Sequence, residues 1–339
     1  VNALHTPRRE AGVGLIELMV ALVIGLFLIM GAVTVLNQSR NTHRTAEKVA
    51  RLQETGRLAL SVIDTDLRQA NFWGMGNRAD YITNRVPIGQ APSSDFTATQ
   101  QGNAAVCGST GAPSNYFVLN LDEYVGGSNN AYGLSCGATD YLAGADTLWV
   151  RRASTDRPGT MNANRIHVQT SRIRGTLFVP AAGCTNPTDA ACIPADYLPP
   201  ASQTRELEAH VYYVSSNSTN RAGLPSLRRK RFSNVNGSAG TAFIDEEIAP
   251  GIEDLQVRLG IDTNGDTSVD QYVNPGAVPP AASVVSATIW LLVRAEDAEV
   301  GYVNDTAFQY ADMAGAVTPN DGFRRLLLTR TIHIRNTRA

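Results

Sequence analysis

Charge is scarce in this chain: 18% of its 339 residues are Asp, Glu, Lys or Arg, and aromatic residues make up 7%. A formal net charge of −2 supplies no bulk field for gathering a polyanion. Catalytic signatures are missing as well. No G-x-S-x-G, P-loop, H-E-x-x-H or Gly-rich dinucleotide fingerprint occurs, and the five histidines, His5, His43, His167, His210 and His333, are scattered. His167, His210 and His333 sit in strand-like segments flanked by apolar residues, where a satisfied structural role is the commoner outcome. The chain does not read as an enzyme. Its 43% hydrophobic content still suffices for a packed core.

Charge is scarcest between Val13 and Leu36, where Glu17 is the one ionisable side chain in 24 residues. As a helix that run spans about 36 Å, enough to cross a bilayer. A secretory signal peptide has a shorter apolar core followed by a small-residue cleavage site, and no such site follows Leu36. The run is therefore expected to be retained. Arg8 and Arg9 ahead of it favour a cytoplasmic N-terminus, which places the rest of the chain across the membrane. A carboxylate five residues into apolar sequence is costly and marks a function or a partner. The plainer alternative is a signal anchor whose Glu17 lies at the interface.

The stretch Gly12-Val13-Gly14-Leu15-Ile16-Glu17-Leu18-Met19-Val20 resembles the class III signal of type IV prepilins and type II secretion pseudopilins. That resemblance implies cleavage between Gly12 and Val13 by a membrane-embedded prepilin peptidase, N-methylation of Val13, and Glu17 as fifth residue of the mature chain. Val13 stands where the family most often has Phe, and Gly14 where Ser or Thr is common. Physically, a new terminal amine and Glu17 would share the apolar end of one helix. In a helical stack the Glu17 of one copy can then neutralise the amine of its neighbour, with Leu15 and Ile16 on the same stacking surface.

From Asn37 no proline or glycine interrupts until Gly56, so the helix is expected to continue to about Ala70. Val49, Leu52, Gly56, Leu60, Ile63, Leu67 and Ala70 recur at three- and four-residue steps, an apolar stripe with Arg51, Glu54, Arg57, Asp64 and Arg68 off it. This half is expected to pack on a sheet. Arg51 to Gly74, Gly251 to Asp266 and Phe323 to Asn336 resemble segments of PilW-type minor pilins. Major pilins commonly carry a helix-kinking proline near the place held here by Thr34, so the resemblance is to a minor rather than a main subunit.

After residue 75 the sequence turns to short apolar runs separated by Gly, Asn and Ser. Tyr116 to Leu121, Thr147 to Arg151, Arg165 to Thr170, Leu207 to Ser215, Leu227 to Phe232, Ile252 to Ile261, Val284 to Arg294 and Arg325 to Arg335 read as strands. Val284 to Arg294, the most continuously apolar, is expected to be central. The fold class is α+β: a long N-terminal helix on a mostly antiparallel β-sheet head. The expected divisions are a leader over 1–12, a membrane-spanning or filament-core helix over 13–36, its amphipathic continuation over 37–74, and a periplasmic head over 75–339.

All four cysteines, Cys107, Cys136, Cys184 and Cys192, lie in that head. In an oxidising compartment they read as two disulfides, and proximity favours Cys107 with Cys136 and Cys184 with Cys192. Asp262, Asn264, Asp266, Ser268 and Asp270 place oxygens at alternate positions, like the first nine positions of a calcium loop. Thr267 occupies the usual glycine position and Val273 the usual bidentate glutamate. An acidic Asn-Gly hairpin without metal is the other possibility. Arg228-Arg229-Lys230-Arg231 is the dense basic cluster, expected on a strand or its edge, where exposed cations discourage sheet-to-sheet pairing. Without interleaved aromatics it does not read as a nucleic-acid site.

These readings converge on a minor pilin of the type IV pilus, anchored in the inner membrane by one span and entering the pilus on assembly. Prepilin peptidase, membrane lipid, other minor pilins and the major pilin are the implied partners, and Ca²⁺ is the one candidate cofactor. A J-type pseudopilin of type II secretion and a membrane-anchored calcium-dependent adhesin are the alternatives.

Overall fold

The computed structural model describes residues 12, 14–76, 78–108, 116–197 and 200–337, and of Asn41 the backbone alone. Two compact units divide between Arg51 and Leu52. Helix α1 runs Leu15–Gln69, ending one residue short of the expected Ala70. Its stretch in the first unit has the length and composition to cross a membrane, with none of its most apolar window buried.

In the second unit the stripe is read out as predicted. Leu52, Ala59, Leu60, Ile63, Leu67 and Ala70 are buried in one core cluster, while Arg57 stays exposed and Asp64 and Arg68 are half-buried. Gly56 faces Leu328 and Val293, and a Cβ there would collide with Leu328 and lie 2.9 Å from Val293 Cγ2. That position has to be small for the helix to lie this close to the sheet.

The remaining elements are β1 (Ile82–Thr83), α2 (Ala98–Ala105), β2 (Val125–Ser128), β3 (Thr147–Ala153), β4 (His167–Thr170), β5 (Gly175–Phe178), β6 (Gln203–Ser215), β7 (Ser226–Phe232), β8 (Phe243–Pro250), β9 (Ile252–Asp262), β10 (Gln271–Val273), β11 (Ser283–Arg294) and β12 (Arg325–His333). They form two sheets. The larger has the order β1-β5-β4-β6-β3-β2, with β7 on β6 and β8 on β7; the smaller is β10-β9-β11-β12. All pairings are antiparallel except the two-residue β1–β5 pair. Val284 to Arg294 is central as expected, with β9 and β12 on its two sides.

Both faces of β3 are covered, which is why all seven of its residues are buried. Leu148 and Val150 join the α1 cluster, whereas Trp149 and Ala153 join a second cluster with Trp73, Phe117, Ile166 and Phe232. That second cluster corrects one expectation. Tyr116 to Leu121 is a turn, not a strand; Phe117, Val118, Leu119 and Leu121 are apolar because they cap the far face of the larger sheet.

The basic cluster is also corrected. β7 lies between β6 and β8 rather than at an edge, and its cations are buried or half-buried. Arg228 Nε donates to Asp245 at 2.9 Å, Lys230 Nζ lies 3.2 Å from the same carboxylate, and Arg229 Nη2 lies 2.6 Å from Glu246. Cross-strand acids on β8 neutralise the run.

Candidate functional site

Two places carry unusual chemistry: the start of α1 and the point where α1 meets the larger sheet. At the start, Leu15 and Ile16 are each 76% exposed, and large apolar side chains remain exposed onward to Leu36. Such a surface is unstable in water and calls for lipid or other apolar helices around it. Glu17 lies in the first turn. Its Oε2 accepts the backbone N–H of Gly14 at 3.1 Å, satisfying one of the donors that a helix leaves open at its N-terminus. Gly12 is exposed with no heavy atom within 4 Å of a Cβ built on it. Val13 and the leader before Gly12 lie outside the described residues.

Within the head, Asp66 projects from α1 into the larger sheet at 3% exposure. Arg152 of β3 donates to its Oδ1 from Nε at 3.1 Å and Nη2 at 2.9 Å. His210 Nδ1 donates to Oδ2 at 2.6 Å, and the Tyr212 hydroxyl donates to the same oxygen. Arg152 also pairs with Glu208. Burial alone would raise the Asp66 pKa, but His210, Arg152 and Tyr212 together hold it well below the ordinary carboxylate range. Burial, followed by the Asp66 charge, pushes the Tyr212 phenol up.

Asp66, Glu208 and His210 bring ligand atoms within 4.8 Å of one another, a set that could in principle hold a metal ion. The Arg152 guanidinium already bridges Asp66 and Glu208, so the negative charge a cation needs is taken. The cluster fastens helix to sheet. Sequence reasoning passed over Asp66, although its place between Ile63 and Ala70 on the apolar stripe is a visible sign of a buried carboxylate.

A second buried acid joins the two sheets. Asp146, just before β3, accepts the Asn130 N–H at 2.7 Å and the Val257 N–H of β9 at 2.8 Å. Its own N–H donates to Leu255 O at 2.7 Å. Burial is the main cause that pushes the carboxyl up to about 7; the two amide bonds oppose it, and Asp312 and Asp254 add to the rise.

The residues considered for calcium do come together at the β9–β10 turn, engaged in their own hydrogen bonds. Asp262 Oδ1 accepts from the Asn264 and Gly265 amides and Oδ2 from Thr267. Asn264 Oδ1 accepts from Asp266 N–H, and Asp266 Oδ1 from Ser268 N–H. Asp270 accepts from Thr263 and Asn264, and the Thr263 hydroxyl leads in holding its carboxyl below the ordinary range. Thr267 has φ 66° and Gly265 φ 84°, a backbone that returns the chain tightly on itself.

Cys107 is bonded to Cys136 and Cys184 to Cys192, with Cα separations of 4.4 and 5.1 Å. His167 Nδ1, at the start of β4, lies 3.1 Å from the O of Arg165, just ahead of the strand, and His333 ends β12.

Two family models match the chain: the prokaryotic N-terminal methylation motif over residues 7–33 and type IV pilus-assembly protein W over residues 211–336. No curated protein sequence matches it significantly. Among solved structures, a type IV-like pilin from Thermus thermophilus is 13% identical, with 85% of this chain and 100% of that chain covered at a TM-score of 0.34, a likeness too low to carry detail across. The methylation motif and the apolar helix are consistent with membrane anchoring and incorporation into a pilus. The chain carries a prokaryotic N-terminal methylation motif and, in its head, a segment that matches the type IV pilus-assembly protein W family.

Proposed function

We propose that the chain is a minor pilin that helps initiate pilus assembly: its leader is removed between Gly12 and Val13, its helix is held by inner-membrane lipid and then by other pilin helices, and its head contacts other minor pilins. The observation that carries this is the run from Leu15 to Leu36, apolar but for Glu17 and Thr34 and exposed along its length apart from the half-buried Gly25. A helix with this surface exchanges lipid for neighbouring helices at little cost, because both are apolar. Glu17 then supplies register. Once the leader is gone, a terminal amine and a carboxylate sit at the same end of each copy, and pairing between copies leaves neither charge alone in an apolar medium.

The test is complementation of a deletion strain with wild type, Glu17→Ala and Glu17→Gln, measuring surface pili and membrane levels of the protein. Wild type restores pili, while both variants reach the membrane and restore few. Full piliation by Glu17→Ala contradicts the proposal. A deletion that leaves pili intact but stops export through type II secretion replaces it with the pseudopilin alternative.

A further inference from the structure

The β4–β5 turn presents chemistry that the assembly helix does not use, and it lies outside the residues matched by the PilW model. The turn is pinned: Ser171 N–H and Oγ both donate to Arg174 O, at 2.8 and 2.9 Å. Held on it are Arg172, Ile173 and Arg174, all exposed, with Ile173 at 76%. Hollows of about 210 and 520 Å³ flank the turn, and Met75, Arg172, Ile173 and Arg174 line both.

The charge here differs from that on β7. Arg172 has no hydrogen-bond or ion-pair partner among the described residues, and Arg174 donates from Nη2 to a backbone oxygen, Asp196 O, at 2.9 Å. Asp196 borders the larger hollow, and its carboxylate offsets part of the charge. Guanidinium groups present planar forks that match oxyanions, carboxylate and phosphate alike. The aromatic rings, by contrast, are already engaged by arginines. Arg78 stacks 4.3 Å above the Tyr81 ring and Arg174 5.1 Å above Tyr197, and Tyr197 is buried with its hydroxyl donating to Gly175 O at 3.0 Å. A single-stranded nucleic acid needs free ring faces for its bases, whereas a peptide needs oxyanion forks and an aliphatic contact.

We propose that the Ser171–Arg174 turn and its flanking hollows form a docking surface for an extended, carboxylate-bearing peptide segment of another protein's head. Arg172 and Arg174 take the carboxylates, and Ile173 packs against aliphatic side chains between them. This deepens the head-contact part of the function proposed above and rests on it only for which proteins carry the segment. Binding of this kind is driven by charge, so it weakens steeply with salt.

The test uses the full-length chain in detergent and the fluorescence anisotropy of a labelled peptide of alternating Glu and Val. Inorganic phosphate serves as competitor, and a Lys-Val peptide and a thymidine oligonucleotide as alternative ligands. The Glu-Val peptide binds, the Lys-Val peptide does not, and Arg172→Glu with Arg174→Glu weakens binding at least tenfold. Arg157→Glu, on another exposed loop, leaves it unchanged. If the double variant misfolds by circular dichroism, Arg172→Glu alone replaces it, since that side chain has no described partner, and a several-fold weakening is expected. No peptide binding, equal binding by the turn variants, displacement by phosphate alone at equal concentration, or tighter binding of the oligonucleotide overturns the proposal. Because this readout is independent of piliation, a normal pilus count with Glu17→Ala would remove the assembly function and leave the docking surface standing.

Discussion

Asp66 and Arg152 meet 2.9 Å apart inside the head, one from α1 and one from β3, both almost wholly buried. Arg152 continues to Glu208 on β6, and His210 and Tyr212 complete the surroundings of Asp66. Removing the carboxylate takes away one of the two acids paired with Arg152 and leaves the His210 and Tyr212 donors without their acceptor, a loss of about 3–5 kcal/mol in comparable buried pairs. Asp66→Ala should therefore lower the head's stability by about that amount, with Asp66→Asn intermediate. The Asp66 pKa is depressed in the folded state from an ordinary 3.8. Its contribution is complete above that value and is lost as pH falls through the folded pKa. Denaturant titrations at pH 7 and in strong acid check both points: the gap between wild type and Asp66→Ala should narrow in acid.

Asp146 behaves in the opposite sense. Its folded pKa is raised from 3.8 to about 7, so between those values the folded chain holds a proton that the unfolded chain has released. This group's contribution is complete below about pH 4, declines as pH rises through 7, and is then constant; at one pKa unit per 1.36 kcal/mol the decline is at most about 4 kcal/mol. Asp146→Asn should stay close to wild type in stability at pH 5, because the carboxamide, like the protonated carboxyl, keeps one carbonyl acceptor for the two backbone N–H groups. It should also flatten the fall in stability between pH 5 and pH 8. An unchanged slope would show that Asp146 is not the titrating group.

At the β9–β10 turn, oxygens of Asp262, Asn264 and Asp266 accept backbone amides, so the turn is closed by its own hydrogen bonds without a cation. The expected result is the same melting temperature in millimolar Ca²⁺ and in chelator. A higher temperature with Ca²⁺, abolished by Asp266→Ala, would instead favour the calcium loop considered from the sequence.

The long helix and its buried stripe were legible because a 3.6-residue repeat maps directly onto one face. Val284 to Arg294 was legible as a central strand because both of its sides and faces are covered, which removes the alternation an exposed face imposes. Tyr116 to Leu121 misled for a related reason: burial made it apolar without giving it a strand's hydrogen bonds. α2 was overlooked although Thr97 and Gln100 form a capping box ahead of it, a pattern visible at that spacing. The basic run on β7 looked exposed because its partners, Asp245 and Glu246, are brought alongside by a hairpin that sequence spacing alone does not register. The partners of Asp66 lie more than 80 residues away, so its role depended on tertiary structure, though its position on the stripe did not.

An apolar helix that remains attached once a short cationic segment is clipped away leaves a new N-terminus that can be read directly from the intact protein. Mass spectrometry of the chain purified from membranes of a strain with active prepilin peptidase should find a first residue of Val13 bearing one methyl group on its amine. Recovery of residues 1–12 on the mature protein from such a strain would contradict the account and leave an ordinary tethered head.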